Sequence, residues 1–265
     1  MMMNIIYAVA VLGIMGAAWG AILAFAAKVF AVEVDPREEA IIGCLAGANC
    51  GGCGYPGCSG YAAAVVAGEA PTDRCVAGGA ETAAKVAEIM GVSAGAGEKM
   101  IAFVPCSGSL DVAELKFNYT GEKTCQAAMS YGGKGTKVCS FSCIGYGDCM
   151  KACKFGAMKV ENGVAKVDRE KCVGCMACAE ACPKDIIVKV PYAQNELVAC
   201  RSNDKGPAVI KSCKVGCIGC MKCAKECPAD AITVTNFLAK IDPAKCVGCG
   251  HCETVCPRHI IKPQD

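Results

Sequence analysis

CVGCMACAEACP, residues 172–183, puts four cysteines into twelve residues and ends on a proline. Sulfurs at that density serve either disulfides or metal. The chain has 265 residues and 25 cysteines, and cysteines this close together would close small, strained disulfide loops. A thiolate cage uses the same spacing well. Zinc sites commonly pair two C-x2-C units separated by a dozen or more residues. Here the run is C-x2-C-x2-C-x3-C-P, the spacing that holds [4Fe–4S] cubes. Three cysteines grip one cube and the fourth ligates its neighbour. Gly174 and Ala177 are small enough for the backbone to wrap the cube, and Pro183 turns the chain away from it.

The same spacing returns at Cys217, Cys220, Cys223, Cys227 and Pro228, and again at Cys246, Cys249, Cys252, Cys256 and Pro257. An irregular copy precedes them: Cys139-x3-Cys143-x5-Cys149-x3-Cys153, with Lys154 where proline is expected. Laid side by side, KVCSFSCIGYGDCMKAC and KSCKVGCIGCMKCAKEC pair Cys139 with Cys213, Cys143 with Cys217, Cys149 with Cys223 and Cys153 with Cys227. Cys220 has no counterpart in the first copy. The chain therefore reads as two tandem bacterial-type 2[4Fe–4S] ferredoxin modules, 134–191 and 208–265, joined by a connector at 192–207. Within them AMKVENGVAKVD alternates around Asn162-Gly163, a two-residue hairpin signal, and AITVTNFLAKID repeats the pattern without the glycine.

The crossover rule assigns the ligands. In the second module Cys217, Cys220 and Cys223 join Cys256, while Cys246, Cys249 and Cys252 join Cys227. In the first, Cys172, Cys175 and Cys178 join Cys153, which leaves Cys139, Cys143, Cys149 and Cys182 as the stretched set. Cys213 reads as a spare thiol carried by the repeat, with replacement of a neighbouring ligand as the alternative. Cys106, Cys125 and Cys200 stand alone and read as buried structural thiols. Cys106 and Cys200 follow similar strings, IAFVPC and ELVAC, which fits a repeated structural position.

A fifth set lies upstream at Cys50-x2-Cys53-x4-Cys58-x16-Cys75, in a mostly helical segment, 33–91. Gly51, Gly52, Gly54 and Gly57 let the chain fold tightly there. Zinc is the alternative at this set, and Cys44 is a spare candidate. Five [4Fe–4S] clusters are thus expected.

Ile5 to Ala27 is a stretch of 23 residues without a charge, long enough to cross a bilayer, so residues 1–32 read as a retained transmembrane anchor. A cleaved signal peptide is the rival, but no Lys or Arg precedes the run. Lys28 and Arg37 follow it, which places the cluster domains on the cytoplasmic side. VSAGAGEKM opens a linker and approach segment, 92–133. Residues 1–100 carry a balance of −4 and residues 101–265 a balance of +6. Lys151, Lys154, Lys214, Lys222 and Lys225 could steer an acidic electron carrier or simply solubilise the surface. Scattered basic residues with few aromatics among them give no nucleic-acid site. No G-x-G-x-x-G follows a strand, GGKGTK lacks the Walker spacing, and two histidines support no catalytic triad. The architecture expected is α+β, and the chemistry is that of an electron relay rather than a substrate-converting chain.

An apolar Gly/Ala-rich amino-terminal helix, then GANCGGCGYPGCSGYAAAVVAGEA with Cys75, then ferredoxin repeats: this order resembles the B-subunit family of the Rnf electron-transport complexes. The upstream motif is the specific part, and two modules resemble the longer form. The resemblance implies a membrane complex that takes electrons from reduced soluble ferredoxin. It passes them to NAD+ through integral-membrane and flavin-bearing partner subunits, coupled to Na+ or H+ translocation. The alternative is a membrane-anchored polyferredoxin serving a hydrogenase, formate dehydrogenase or heterodisulfide reductase without ion pumping.

Overall fold

The computed structural model describes residues 2–29, 35–93 and 98–262. Residues 94–97 of the expected linker, the end of the expected anchor (30–32) and the last three residues of the expected second module lie outside the described residues. Helix α1, Met2–Val29, carries one charge, Lys28, in its last turn. Its stretch Ala10–Lys28 has a mean hydropathy of 2.0, and none of that stretch is buried. At 1.5 Å per residue, α1 reaches about 40 Å, more than a bilayer's apolar core of roughly 30 Å.

Three helices form the next lobe: α2 (Pro36–Cys44), α3 (Cys58–Val66) and α4 (Gly79–Met90). Asp35 starts α2 by accepting the Arg37 backbone N–H, with Pro36 in the first turn where its missing donor costs nothing. Gly91 stops α4 in the left-handed conformation at φ 67°. Ile41, Tyr61, Ala62, Val65 and Val86 make the core between them. The Tyr61 hydroxyl is satisfied inside it, donating to Pro71 O at 2.8 Å and accepting from Arg74 N at 3.2 Å.

The remainder contains two related units. The first has β1 (Met100–Phe103), α5 (Cys125–Gly132), α6 (Asp148–Ala152), β2 (Met158–Glu161), β3 (Val164–Val167), α7 (Ala177–Glu180) and β4 (Val188–Pro191). The second has β5 (Leu197–Val198), α8 (Gly206–Ser212), α9 (Lys222–Lys225), β6 (Ile232–Thr235), β7 (Leu238–Ile241), α10 (His251–Val255) and β8 (Ile261–Lys262). Each unit has a hairpin, β2–β3 or β6–β7, and each is closed by an antiparallel pair, β1–β4 or β5–β8. The strings ahead of Cys106 and Cys200 are therefore equivalent: both are strands paired with the last strand of their own unit. Asn162 and Gly163 turn the first hairpin at φ 45° and 74°. The second turn uses Asn236 and Phe237 at φ 51° and 62°, so a bulky residue holds the left-handed position that glycine takes in the first copy.

One strip of the first unit bridges to the second. Glu114 N donates to Ser212 O and Lys214 N to Val112 O, while Lys116 N donates to Thr136 O and Val138 N to Glu114 O. Residues 112–116 thus stitch the start of one repeat to the start of the other.

Candidate iron–sulfur sites

In the second unit Cys217, Cys220, Cys223 and Cys256 line one cavity of about 360 Å³, open mouth included. Burial pushes the Cys223 thiol up to about 11, helped by the Cys217, Cys256 and Cys220 thiols. Cys246 and Cys249 lie near Cys252 in the same unit. The Cys252 thiol also rises to about 11, through burial first and then Glu196, Cys246 and Cys249. Cys227 accepts the Ala231 N–H at 3.4 Å, and its counterpart Cys153 accepts the Ala157 N–H at 3.3 Å.

In the first unit the Cys178 thiol rises to about 11 through burial and through Cys172, Cys175 and Cys153. Those are the four residues that the crossover rule puts together. Cys172 accepts a backbone N–H from Ala102 at 3.3 Å. Gly174 takes φ 69°, and a Cβ there would run into the Met100 carbonyl of β1. The loop can close only around a residue without a side chain.

The stretched set is arranged differently from its spacing. Cys143, Cys149 and Cys182 line a cavity of about 380 Å³, and the fourth cysteine in its wall is Cys125, not Cys139. Burial drives the Cys149 thiol up to about 12, with Cys143, Cys125, Cys182 and Cys178 adding to it. Cys125 opens α5, which Thr124 starts by accepting the Ala127 N–H. The signal lay in the unequal repeats: the first lacks a counterpart of Cys220, and Cys125 supplies the fourth cysteine of the cavity wall. Cys139 instead lines a separate cavity with Cys106, Cys200 and Cys213.

Upstream, Cys53, Cys58 and Cys75 pack on the three-helix core. The Asn49 side chain accepts the Cys58 N–H at 2.8 Å and folds the glycine-rich loop back on the start of α3. That loop meets the first unit. A Cβ on Gly52 would stand 2.8 Å from Cys175 Cα and 2.9 Å from its Cβ. Lys154, the residue in place of proline, donates from Nζ to Asn49 O at 3.2 Å.

These thiols suit iron–sulfur cubes. Among the described residues no three His, Cys, Asp or Glu side chains are grouped as a single ion would need. The cysteines stand around spaces instead, with backbone N–H groups aimed at their sulfurs. Burial and neighbouring thiols oppose ionisation, and iron supplies the positive charge that offsets both.

Comparison with known proteins agrees. A family model described as an Fe-S cluster matches residues 45–77, a 4Fe-4S binding domain matches 165–188, and a 4Fe-4S dicluster domain matches 216–260. The first of these favours iron over zinc at the upstream set. The chain is similar to the B-subunit of the Na(+)-translocating ferredoxin:NAD(+) oxidoreductase complex of Acetobacterium woodii, 49% identical over 91% of this chain and 73% of that protein. It is similar to the B-subunit of the Proton-translocating ferredoxin:NAD(+) oxidoreductase complex of Clostridium ljungdahlii, at 42% over 91% and 85%. It is also similar to the B-subunit of the Ion-translocating oxidoreductase complex of Methanosarcina acetivorans, at 40% over 91% of each chain. With identity of this level over 91% of its length, the chain belongs to the B-subunit family of the ion-translocating Rnf oxidoreductase complexes.

Proposed function

We propose that this chain is the iron–sulfur electron-carrying subunit of an ion-translocating ferredoxin:NAD+ oxidoreductase complex. The observation that carries this reading is the seating of the Asn49–Gly52 loop on Cys175. It puts the upstream cysteine lobe directly against Cys175, which this reading makes a ligand in the first repeat. When bound, [4Fe–4S] cubes supply one-electron carriage at low potential. The chain's own residues hold them, shield them from water and fix their spacing. The set Cys50, Cys53, Cys58 and Cys75 holds one cube. Cys153, Cys172, Cys175 and Cys178 hold a second, and Cys125, Cys143, Cys149 and Cys182 a third. Cys217, Cys220, Cys223 and Cys256 hold a fourth, and Cys227, Cys246, Cys249 and Cys252 a fifth.

In this reading residues 1–32 anchor the chain in the membrane and 33–91 form the first cluster domain. Residues 134–191 and 208–265 are the two ferredoxin modules, flanked by the approach segment 92–133 and the connector 192–207. The cluster domains lie on the cytoplasmic side, where Lys28 and Arg37 follow the apolar helix. Soluble ferredoxin is the donor, and the flavin and nicotinamide sites sit on other subunits. The names of the relatives favour this assembly over a polyferredoxin serving a hydrogenase or reductase.

The test is anaerobic purification from membranes with a tag on this chain. Integral-membrane and flavin-bearing subunits should co-purify, and reduced ferredoxin should bleach the iron–sulfur absorbance. Recovery with a hydrogenase or heterodisulfide reductase large subunit, and no response to ferredoxin, would sink the proposal. A chain deleted of residues 1–32 should move to the soluble fraction.

A further inference from the structure

Four cysteines surround one cavity between the two repeats: three that spacing leaves without a ligand role, and Cys139, whose place beside Cys143 is taken by Cys125. Cys106, Cys139, Cys200 and Cys213 all line it, and its volume is about 390 Å³, open mouth included. The cavities of two expected cube sites measure about 380 and 360 Å³ on the same basis. A Cβ placed on Gly108 would stand 3.6 Å from Cys106 Sγ and 3.6 Å from Cys213 Sγ, so sulfurs from the two repeats face one another across the space.

The four residues form two equivalent pairs. Cys106 and Cys200 each follow the first strand of their unit. Cys139 and Cys213 occupy matching places ahead of the first motif of each repeat. Their surroundings match as well. Cys106 Sγ accepts the N–H of Cys143 at 3.4 Å, and Cys200 Sγ accepts the N–H of Cys217, the counterpart of Cys143, at 3.4 Å. Cys139 accepts from the Phe141 backbone and Cys213 from the Val215 backbone, two residues on in both cases. Cys200 accepts from Ser202 N, again two residues on, at 3.5 Å. Cys175, an expected cube ligand, takes the same bond from Ala177. Backbone donors to thiolate sulfur are how a protein orients and tunes such ligands. Ser107 Oγ also lines the cavity, buried and without a hydrogen-bond partner.

The arithmetic of the chain closes on the same answer. With Cys125 completing the stretched set, the five proposed sites use twenty cysteines. These four are all that remain of the 25 except Cys44. A spare structural thiol explains one such residue; it does not explain four around one space with a matched set of amide donors.

We propose that Cys106, Cys139, Cys200 and Cys213 hold a sixth [4Fe–4S] cube, at the junction of the two repeats. Each repeat gives it two ligands, so it assembles only when both are folded and joined. One N–H···S bond separates its ligands from Cys143 on one side and Cys217 on the other. It therefore makes the cube sites of the two repeats one continuous series. This inference rests on the iron–sulfur reading above and adds one site to it.

The test uses the full chain in detergent, reconstituted anaerobically with iron and sulfide. Iron and acid-labile sulfide are counted, and accessible thiols are alkylated under native conditions and mapped by mass spectrometry. About 24 irons per chain are expected, six cubes of four, with Cys44 alkylated and Cys106, Cys139, Cys200 and Cys213 protected. The Cys200→Ala/Cys213→Ala variant should hold about 20, with Cys106 and Cys139 newly alkylated and the reduced-state EPR of the other cubes retained. About 20 irons in the parent chain, with all four thiols alkylated, overturns the sixth site and leaves the other five standing. Unchanged iron in the double variant overturns it too. A colourless parent chain without iron removes the iron–sulfur reading itself.

Discussion

Lys154 donates from its ammonium to the backbone carbonyl of Asn49 at 3.2 Å, joining the first repeat to the loop that carries Cys50. The position that should hold proline in the motif has been given to a side chain that can reach the neighbouring lobe. Lys154→Pro should restore the motif and loosen the junction. The contact is exposed, so the loss is about 1 kcal/mol or less. Gly52→Ala strikes the same junction harder, because its Cβ would stand 2.8 Å from Cys175 Cα. Overpacking costs about 1–3 kcal/mol, and each kcal/mol lowers Tm by roughly 2–4 °C in a chain of this size. Thermal unfolding and proteolysis of the Asn49–Tyr55 loop should rank the variants Gly52→Ala, Lys154→Pro, wild type, from least to most stable. Equal stability of all three would mean that the two lobes do not rest on each other.

Separate ownership of Cys125 and Cys139 is open to a count. Cys125→Ala with Cys143→Ala strikes one site and should cost about 4 irons per chain. Cys139→Ala with Cys143→Ala strikes two and should cost about 8. If the original spacing were the guide to ligation, the second pair would cost no more than the first. Iron analysis after anaerobic reconstitution decides between them.

Lys137 is 1% exposed and donates to the carbonyls of Gly108 and Gly163, each at 2.7 Å. It lies near both Cys143 and Cys213, whose thiols burial pushes up and this ammonium draws down. A fixed cation favours the state with the extra electron. Lys137→Met should therefore lower the midpoint potential of a neighbouring cube, by on the order of 40 mV for each kcal/mol of lost attraction. It should also destabilise the fold by about 1–3 kcal/mol, since two carbonyls lose their donor. EPR-monitored redox titration gives the first effect and thermal unfolding the second. A potential that stays put or rises removes Lys137 from the electrostatics.

The metal-free chain has its own pH signature. Burial first, and neighbouring thiols second, raise Cys143 and Cys223 from 9.0 to about 11 and Cys149 to about 12. A raised folded-state value favours the protonated thiol, so this contribution to stability is fully present below pH 9 and disappears as pH climbs through about 11–12. Denaturant titrations of apo protein should show stability falling across that window. The loaded chain, whose thiolates are bound to iron, should lack that slope. A flat apo profile would mean that the thiols are solvated rather than clustered.

Part of the grouping was legible because cysteines that line one cavity crowd into a few residues of sequence. Cys217, Cys220 and Cys223 announce themselves, and Cys256 follows from the crossover rule. The Asn162-Gly163 turn is equally local. The failures share a cause: their partners are far apart in the chain. Cys125 enters the wall of the Cys143 cavity from a helix 18 residues earlier in the chain, and no local pattern marks it. The junction cavity draws two cysteines from each repeat and exists only once the repeats are packed. Phe237 at a left-handed turn shows the same limit from the other direction, since hairpin pairing between β6 and β7 overrides a poor local preference. The role of Lys154 was hidden too, because a broken motif says what is lost and not what is gained.

The strip at 112–116 has a mechanical corollary. Main-chain bonds run from it to residues 136–138 on one flank and 212–214 on the other, so the two halves cannot swing apart without tearing peptide-to-peptide links. A carrier that grips the far half thereby holds the near half at fixed range, and the pair moves as a single beam.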